Sequence, residues 1–217
     1  MTKLRAFLMI MALSGLALPA QAEGEKAGQF DYYVLALSWS PTWCALTGDA
    51  RNSPQCDTAR DGAHDFVLHG LWPQNEQGWP SYCTTPARDP SKRQTAAMAD
   101  IMGTTGAAWY QWKKHGRCSG LGAQAYLDLA RRAYDGVEIP DVFEKLTKDV
   151  TLPAHVVEEA FLEANPALTA NGVTVTCQAN RIQEVRICLD KDLSPRSCGA
   201  DVIRDCTLTD AQMDGIR

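Results

Sequence analysis

The sequence has 217 residues, 45% of them hydrophobic, and carries 21 Lys and Arg against 26 Asp and Glu, a net charge of −5. A chain of this length and composition can bury a substantial core. The negative charge excludes a protein that coats nucleic acids through general attraction to phosphates, since such proteins are basic. Any contact with a nucleic acid must therefore be local.

The first 22 residues have the pattern of a secretory signal peptide. Lys3 and Arg5 precede an uncharged apolar run over residues 6–18, and residues 20–22 are Ala-Gln-Ala, which fits the small-x-small cleavage rule. A membrane anchor is the alternative, but a run of about 13 residues is short of the roughly 20 that a spanning helix needs. We therefore expect a secreted or periplasmic protein without a membrane span, and one domain over residues 23–217.

The cysteines are even in number, which favours disulfides over free thiols in a chain with an export signal. Eight thiols allow on the order of a hundred pairings, so the count alone does not assign them. The sequence has no Cys-x-x-Cys motif, the close spacing typical of cysteine-based metal sites. We therefore expect neither a metal nor another cofactor. The eight are Cys44, Cys56, Cys83, Cys118, Cys177, Cys188, Cys198 and Cys206.

Apolar and alternating runs predict strands near both ends of the chain, and helical periodicity predicts helices between them. This order indicates an α+β fold with a central antiparallel sheet packed with several helices. The second strand is expected to stop at His69, because Gly70 and Pro73 follow. The predicted strands cover residues 32–38, 65–68, 173–178 and 182–189. The predicted helices cover residues 91–102, 109–117, 123–134, 141–149 and 153–164, with loops over 45–63 and 73–90.

Two histidines have neighbours in the sequence that suit a role in acid–base catalysis. His69 follows a predicted strand and precedes a Gly/Pro turn, where a side chain faces a cleft more readily than a core. His115 follows two lysines, and helical spacing places Gln111, Lys114 and His115 on one face. Histidine titrates near pH 6.5, so one ring can act as a neutral base while a second acts as a protonated acid.

A histidine pair of this kind suits the cleavage of RNA. A base takes the proton of the ribose 2′-OH, the oxygen attacks the neighbouring phosphorus, and an acid protonates the departing 5′-oxygen. A lysine offsets the charge that gathers on the phosphorane, and no metal is required. DNA lacks the 2′-OH and is not expected to be cut.

Residues 66–73 (FVLHGLWP) and 110–118 (YQWKKHGRC) resemble the two characteristic segments of the ribonuclease T2 family, F-x-[IL]-H-G-L-W-P and H-E-W-x-K-H-G-[TS]-C. Similarity extends to residues 37–41 and 183–190 and so covers nearly the whole mature chain. The resemblance implies a secreted, metal-independent endoribonuclease with an α+β fold, which cleaves single-stranded RNA through 2′,3′-cyclic phosphates. It implies three roles, with His69 as general acid, His115 as general base and Lys114 as the group that stabilises the phosphorane.

Two positions depart from the family pattern. The family's glutamate is Gln111 here, and its first histidine in that segment is Tyr110. An amide can donate a hydrogen bond to phosphate, but it cannot tune a neighbouring imidazole as a carboxylate does. We expect reduced or acid-shifted activity, with Tyr110 as a further donor to phosphate. The alternatives are a weakened relative that binds RNA or signals, and a disulfide-stapled interaction or inhibitor module.

Other side chains near the first segment are candidates for binding RNA bases. The resemblance implies that Trp72 stacks on the base 5′ of the cut, as aromatic platforms do for single-stranded nucleic acids. A core tryptophan is the alternative. Gln74, Trp79 and Tyr82 are further candidates. Core positions are expected for Trp39, Trp109 and Trp112.

The resemblance also implies the disulfide pairs, which are Cys83–Cys118, Cys177–Cys206, Cys188–Cys198 and, by remainder, Cys44–Cys56. The first pair would tie the loop after the first segment to the helix end that carries His115, and a disulfide typically adds about 2–4 kcal/mol of stability. The expected partner is single-stranded RNA, bound by a monomer.

Overall fold

The computed structural model describes residues 25–57 and 64–217, and the predicted signal peptide lies outside them. The described strands form one sheet and are β1 (Tyr32–Trp39), β2 (Phe66–Gln74), β3 (Val150–Leu152), β4 (Val173–Gln178), β5 (Arg181–Leu189) and β6 (Ala211–Met213). Their order is β2-β1-β5-β6-β3, and β4 also pairs with β5. The α+β prediction is confirmed.

The sheet is mainly antiparallel, as expected, with one parallel pair that makes it mixed. Most neighbours are antiparallel, but β5 and β6 run parallel where Arg181 pairs with Gln212. A long connection over residues 190–210 separates β5 from β6 and allows this direction, which a tight hairpin would not. Neither β3 nor β6 was predicted, because three residues are too few for an alternating pattern to be recognised.

β1 is buried because both faces of the sheet are covered. Tyr33, Leu35 and Leu37 belong to the main hydrophobic core, as expected for alternate residues of one strand. Tyr32 and Val34 point to the opposite face, where they pack in a smaller cluster with Cys188 and Val202. This burial explains why the strand is apolar along nearly its whole length.

β2 continues past His69, so the expectation that it stops there is wrong. It pairs with β1 from Phe66 to Gln74. Because β2 is the outermost strand in the sheet order, Pro73 can lie in it without breaking a second ladder of hydrogen bonds. The pairing skips from Leu68 to Gly70, which leaves His69 as the extra residue of a β-bulge.

Two of the predicted helices agree with the structure, and others differ in extent. The α-helices are α1 (Ser40–Trp43), α2 (Lys92–Ala96), α3 (Ala99–Met102), α4 (Thr105–Lys114), α5 (Ala123–Asp135), α6 (Asp141–Glu144) and α7 (Ala154–Ala164). Helices α5 and α7 match their predicted spans to within one residue, whereas the predicted helix over 91–102 is split into α2 and α3. α4 begins before the predicted residue 109, because the Thr104 side chain caps it by accepting a hydrogen bond from Ala107 N at 3.1 Å.

Two further spans differ from their predictions. The predicted loop over 45–63 contains a π-helical turn (Cys44–Gly48) and 3₁₀ turns at Asp49–Arg51 and Pro54–Cys56. The predicted helix over 141–149 stops at Glu144, and the chain continues into β3, which pairs with β6. The helix ends early because the following residues pair with a strand more than fifty residues away. Local periodicity in the sequence cannot predict such a distant partner.

Packing of the helices fixes the strand that carries His69. The Tyr126 hydroxyl of α5 donates to the Leu71 carbonyl at 2.8 Å, and the Tyr134 hydroxyl donates to the Phe66 carbonyl at 3.1 Å. These two bonds hold β2 on either side of the bulge.

On α4, Trp112 is fully buried as expected, but Trp109 is 45% exposed. The core prediction for Trp109 is therefore wrong, because its face of α4 points away from the sheet.

Disulfides join Cys44 to Cys56, Cys83 to Cys118, Cys177 to Cys206 and Cys188 to Cys198. These are the pairs that the resemblance implies. Among the residues that the structure describes, no helix has the length and apolar character needed to cross a membrane.

Candidate active site

A cleft lies between β2, the end of α4 and β5, and it collects most of the predicted site residues. Of those residues, only Tyr82 does not line it, and the Tyr82 hydroxyl lies 3.4 Å from that of Tyr110. The lining side chains named in the prediction are His69, Trp72, Gln74, Trp79, Tyr110, Gln111, Lys114 and His115. The cleft is also lined by Val34, Gln183, Glu184, Arg186, Asp201 and Val202.

The bulge at His69 explains how one strand places two aromatic rings in the same cleft. In a regular strand, residues three apart point to opposite faces. Phe66 and Leu68 face the main core before the bulge, and Leu71 faces it afterwards, so the alternation changes phase at His69. As a result, His69 and Trp72 share the cleft, with ring centroids 5.2 Å apart and planes at 81°.

His69 is held by the carboxylate of Glu184. Its Nδ1 is hydrogen-bonded to Glu184 Oε1. The His69 side chain is 42% exposed, whereas that of Glu184 is only 2% exposed. Burial acts to raise the pKa of the Glu184 carboxyl, but the bonds and charges of His69 and Arg186 outweigh it and lower that pKa to about 2. An ionised carboxylate only accepts hydrogen bonds, so Nδ1 carries the hydrogen and Nε2 is the nitrogen that can exchange a proton in the cleft.

Glu184 and Arg186 were not among the predicted site residues. Arg186 donates to Glu184 Oε2 from Nε at 3.0 Å and from Nη2 at 2.8 Å, and the Ser38 hydroxyl donates to Oε1 at 3.2 Å. Glu184 pairs across β1 with Ser38, and this register brings it to His69 on the far side of that strand. The sequence signal that could have revealed the pair is two opposite charges, Glu184 and Arg186, at alternate positions of one strand.

Trp72 lies between the two histidines. Its ring stacks on His115, with centroids 5.2 Å apart and planes at 25°, and the Arg186 guanidinium lies 5.4 Å from its centroid. Its Nε1 donates to Gln111 Oε1 at 2.8 Å. A side chain at Gly70 would come within 2.4 Å of both atoms of that hydrogen bond. Only glycine at position 70 therefore leaves room for the Trp72–Gln111 pair.

His115 directly follows the last residue of α4 and is 5% exposed. Burial, aided by the positive charge of Lys114 and by His69, lowers the pKa of the His115 ring from 6.5 to about 3. Its Nδ1 is buried and has no hydrogen-bond partner among the described residues. The ring is therefore neutral through the mildly acidic and neutral range and is able to accept a proton.

The loop after β2 is tied to the C-terminal end of α4 through two adjacent residues, Tyr82 and Cys83. Cys83 is bonded to Cys118, and Tyr82 N donates to the Lys114 carbonyl at 2.8 Å. The disulfide closes a loop with a sequence separation of 35. These contacts fix the backbone on which Lys114 and His115 stand.

Comparisons with known proteins agree with the fold and with the two segments. Residues 30–198 match the sequence profile of the Ribonuclease T2 family. A protein named ribonuclease from Aeromonas hydrophila is 40% identical over 130 residues, which cover 60% of this chain and 56%, or about half, of that relative.

Two solved structures share the fold. An RNase-related protein from Calystegia sepium has a TM-score of 0.67 at 20% identity and covers 88% of this chain and 99% of its own. RNase NT in complex with 5′-AMP has a TM-score of 0.63 at 20% identity, over 87% of this chain and 99% of its own. Identity at this level supports the shared fold alone.

Proposed function

Because the chain belongs to the ribonuclease T2 family, we propose that it is an endoribonuclease that cleaves single-stranded RNA by transesterification. The observation that carries the proposal is that His69 and His115 contact the same Trp72 ring, each at 5.2 Å between centroids, in opposite electrostatic surroundings. His69 is bonded to an ionised carboxylate, and His115 is buried beside a lysine. Surroundings that favour different protonation states are what an acid and base pair requires.

In the proposed reaction, the neutral His115 ring accepts the proton of the ribose 2′-OH. The 2′-oxygen forms a bond to phosphorus while the bond from phosphorus to the 5′-oxygen breaks. Protonated His69 gives its Nε2 proton to the departing 5′-oxygen, since Nδ1 is held by Glu184. The products are a 2′,3′-cyclic phosphate and a 5′-hydroxyl, and the two histidines have exchanged protonation states.

Two side chains of α4 are proposed to stabilise the charge on the phosphorane. Lys114 offers an ammonium group at the cleft. Gln111 Oε1 already accepts from Trp72, so the amide nitrogen of Gln111 is the end that can donate to a phosphate oxygen. Donors fixed in place before the charge develops are the most effective form of such stabilisation.

Base binding is proposed for Trp72, Gln74 and Trp79, with Tyr110 and Tyr82 at the rim. His115 stacks on Trp72, so only part of the Trp72 ring is open to a base. Trp79 is 56% exposed at the cleft and offers the larger free surface. Stacking on such rings tolerates any base, because every base has a flat face.

We further propose that the enzyme acts as an exported monomer, without a metal, and does not cut DNA. Four disulfides support export, because disulfides persist in oxidising compartments. The histidine chemistry needs no metal, and it does need a 2′-OH, which DNA lacks.

Incubation of the purified protein with single-stranded RNA and EDTA between pH 4 and 8 tests the proposal. We expect cleavage with 2′,3′-cyclic phosphate products, survival of DNA of the same sequence, and loss of nearly all turnover in His69→Ala and in His115→Ala. Binding of RNA without cleavage at any pH would instead indicate the weakened, RNA-binding alternative. Substantial turnover in either alanine variant would contradict the assigned roles.

A further inference from the structure

Three of the four exposed aromatic side chains of the described residues lie at the cleft or at its rim. Trp79, Tyr82, Trp109 and Tyr110 are 36 to 56% exposed. Trp79 and Tyr110 line the cleft, and Tyr82 meets Tyr110 at its rim. Trp109 precedes Tyr110 on α4 and does not line the cleft. The proposed mechanism uses no part of Trp109.

A lysine accompanies this outer tryptophan. Lys113 Nζ lies 5.2 Å from the centre of the Trp109 ring, one helical turn along α4. Lys113 also contributes to lowering the pKa of Asp89, after the larger effects of the Arg117 and Trp112 hydrogen bonds, so its charge lies near the Asp89–Arg117 pair. The exposed face of α4 therefore presents a flat ring and a cation side by side.

The charge of the surrounding segment has the sign opposite to that of the whole protein. Residues 80–120 contain six Lys and Arg against two Asp and Glu, whereas the complete chain has a net charge of −5. Both acidic residues of the segment are already paired, Asp89 with Arg117 and Asp100 with Arg131. A local positive region on an acidic protein attracts a polyanion to that region in particular.

We propose that Trp109 and Lys113 form an outer subsite for the RNA chain that extends beyond the nucleotides in the cleft. One base stacks on the exposed ring of Trp109, and the adjoining phosphate meets the Lys113 ammonium. Aromatic rings interleaved with cations are the arrangement that binds single strands without regard to sequence. The inference rests on the proposed function for its ligand, and it adds a preference for long RNA over short fragments.

The test compares two substrates that share one cleavage step, a dinucleoside monophosphate and a twelve-nucleotide RNA. For Trp109→Ala/Lys113→Gln, we expect KM for the longer RNA to rise about tenfold, the loss of one stacked base and one phosphate contact. Its kcat, and both constants for the dinucleoside, should stay as in the wild type. Lys148→Gln is the control, since it removes an exposed lysine outside this segment.

A second measurement does not depend on turnover. A twelve-nucleotide 2′-O-methyl RNA cannot be cleaved, and its affinity should fall about tenfold in the double variant, with a salt dependence shallower by roughly 0.7 in the log–log slope. Equal affinity of wild type and variant for this RNA would contradict the proposed subsite. An equal loss of kcat/KM on both cleavable substrates would contradict it as well. Weaker binding by the variant, in a protein that cleaves neither substrate, would keep the subsite and reject the proposed function.

Discussion

Glu184 holds Nδ1 of His69 from a position 115 residues away in the sequence. Its side chain is 2% exposed and also accepts both hydrogen bonds of the Arg186 fork. A charge buried to this extent is tolerated when all its oxygens have partners. The carboxylate therefore fixes both the orientation of the His69 ring and the nitrogen that carries its hydrogen.

Replacement of Glu184 by glutamine should weaken the acid step. The amide can still accept from Nδ1, but the negative charge that favours a protonated ring is lost. We expect kcat/KM at pH 7 to fall about tenfold. Asp214→Asn is the matched control, because Asp214 is a buried partner of Arg181 outside the cleft. An unchanged kcat/KM in Glu184→Gln would contradict this role.

The depressed pKa of His115 predicts how stability depends on pH. Folding lowers the pKa of this ring from 6.5 to about 3, so between these values the unfolded chain binds more protons than the native state. Native stability should therefore fall as the pH drops through this window, by at most about 1.4 kcal/mol per pH unit. Urea unfolding at several pH values should show a shallower dependence for His115→Gln. His155→Gln, at an exposed histidine, should retain the wild-type dependence.

Gln111→Glu should move the acid limb of activity. In the wild type, that limb of kcat/KM is expected near pH 3, where the buried His115 base becomes protonated. A carboxylate at position 111 keeps the acceptor for Trp72 Nε1 and places a negative charge beside the ring, which raises its pKa by about one unit or more. The limb should shift upward by the same amount. Gln74→Glu adds the same charge elsewhere in the cleft, and an equal shift in that variant would argue against a specific effect of position 111.

Removal of the Cys83–Cys118 disulfide should affect both stability and turnover. Cys83→Ala/Cys118→Ala is expected to lower the free energy of unfolding by about 2–5 kcal/mol and to reduce kcat, since Lys114 and His115 lose their tie to the loop after β2. Cys177→Ala/Cys206→Ala is the comparison, because its sequence separation of 29 is close to the 35 of the first pair. It should lose similar stability and retain kcat at temperatures where both variants are folded.

The sequence by itself identified the candidate catalytic residues. His69, Lys114, His115 and Gln111 were recognised from short segments, and the structure brings them to one cleft. The strand at 173–178 and the helix at 123–134 were also predicted closely, because their periodicity is complete within the segment. Information of this kind is local, and a single sequence carries it.

Only the tertiary structure decided how those residues work together. The bulge that turns His69 toward Trp72 arises from pairing with β1, and Glu184 reaches His69 only through the register across the sheet. The neutral state of His115 follows from burial, and the exposure of Trp109 follows from which face of α4 meets the core. Each depends on contacts between residues far apart in the chain, which no local pattern of residue types specifies.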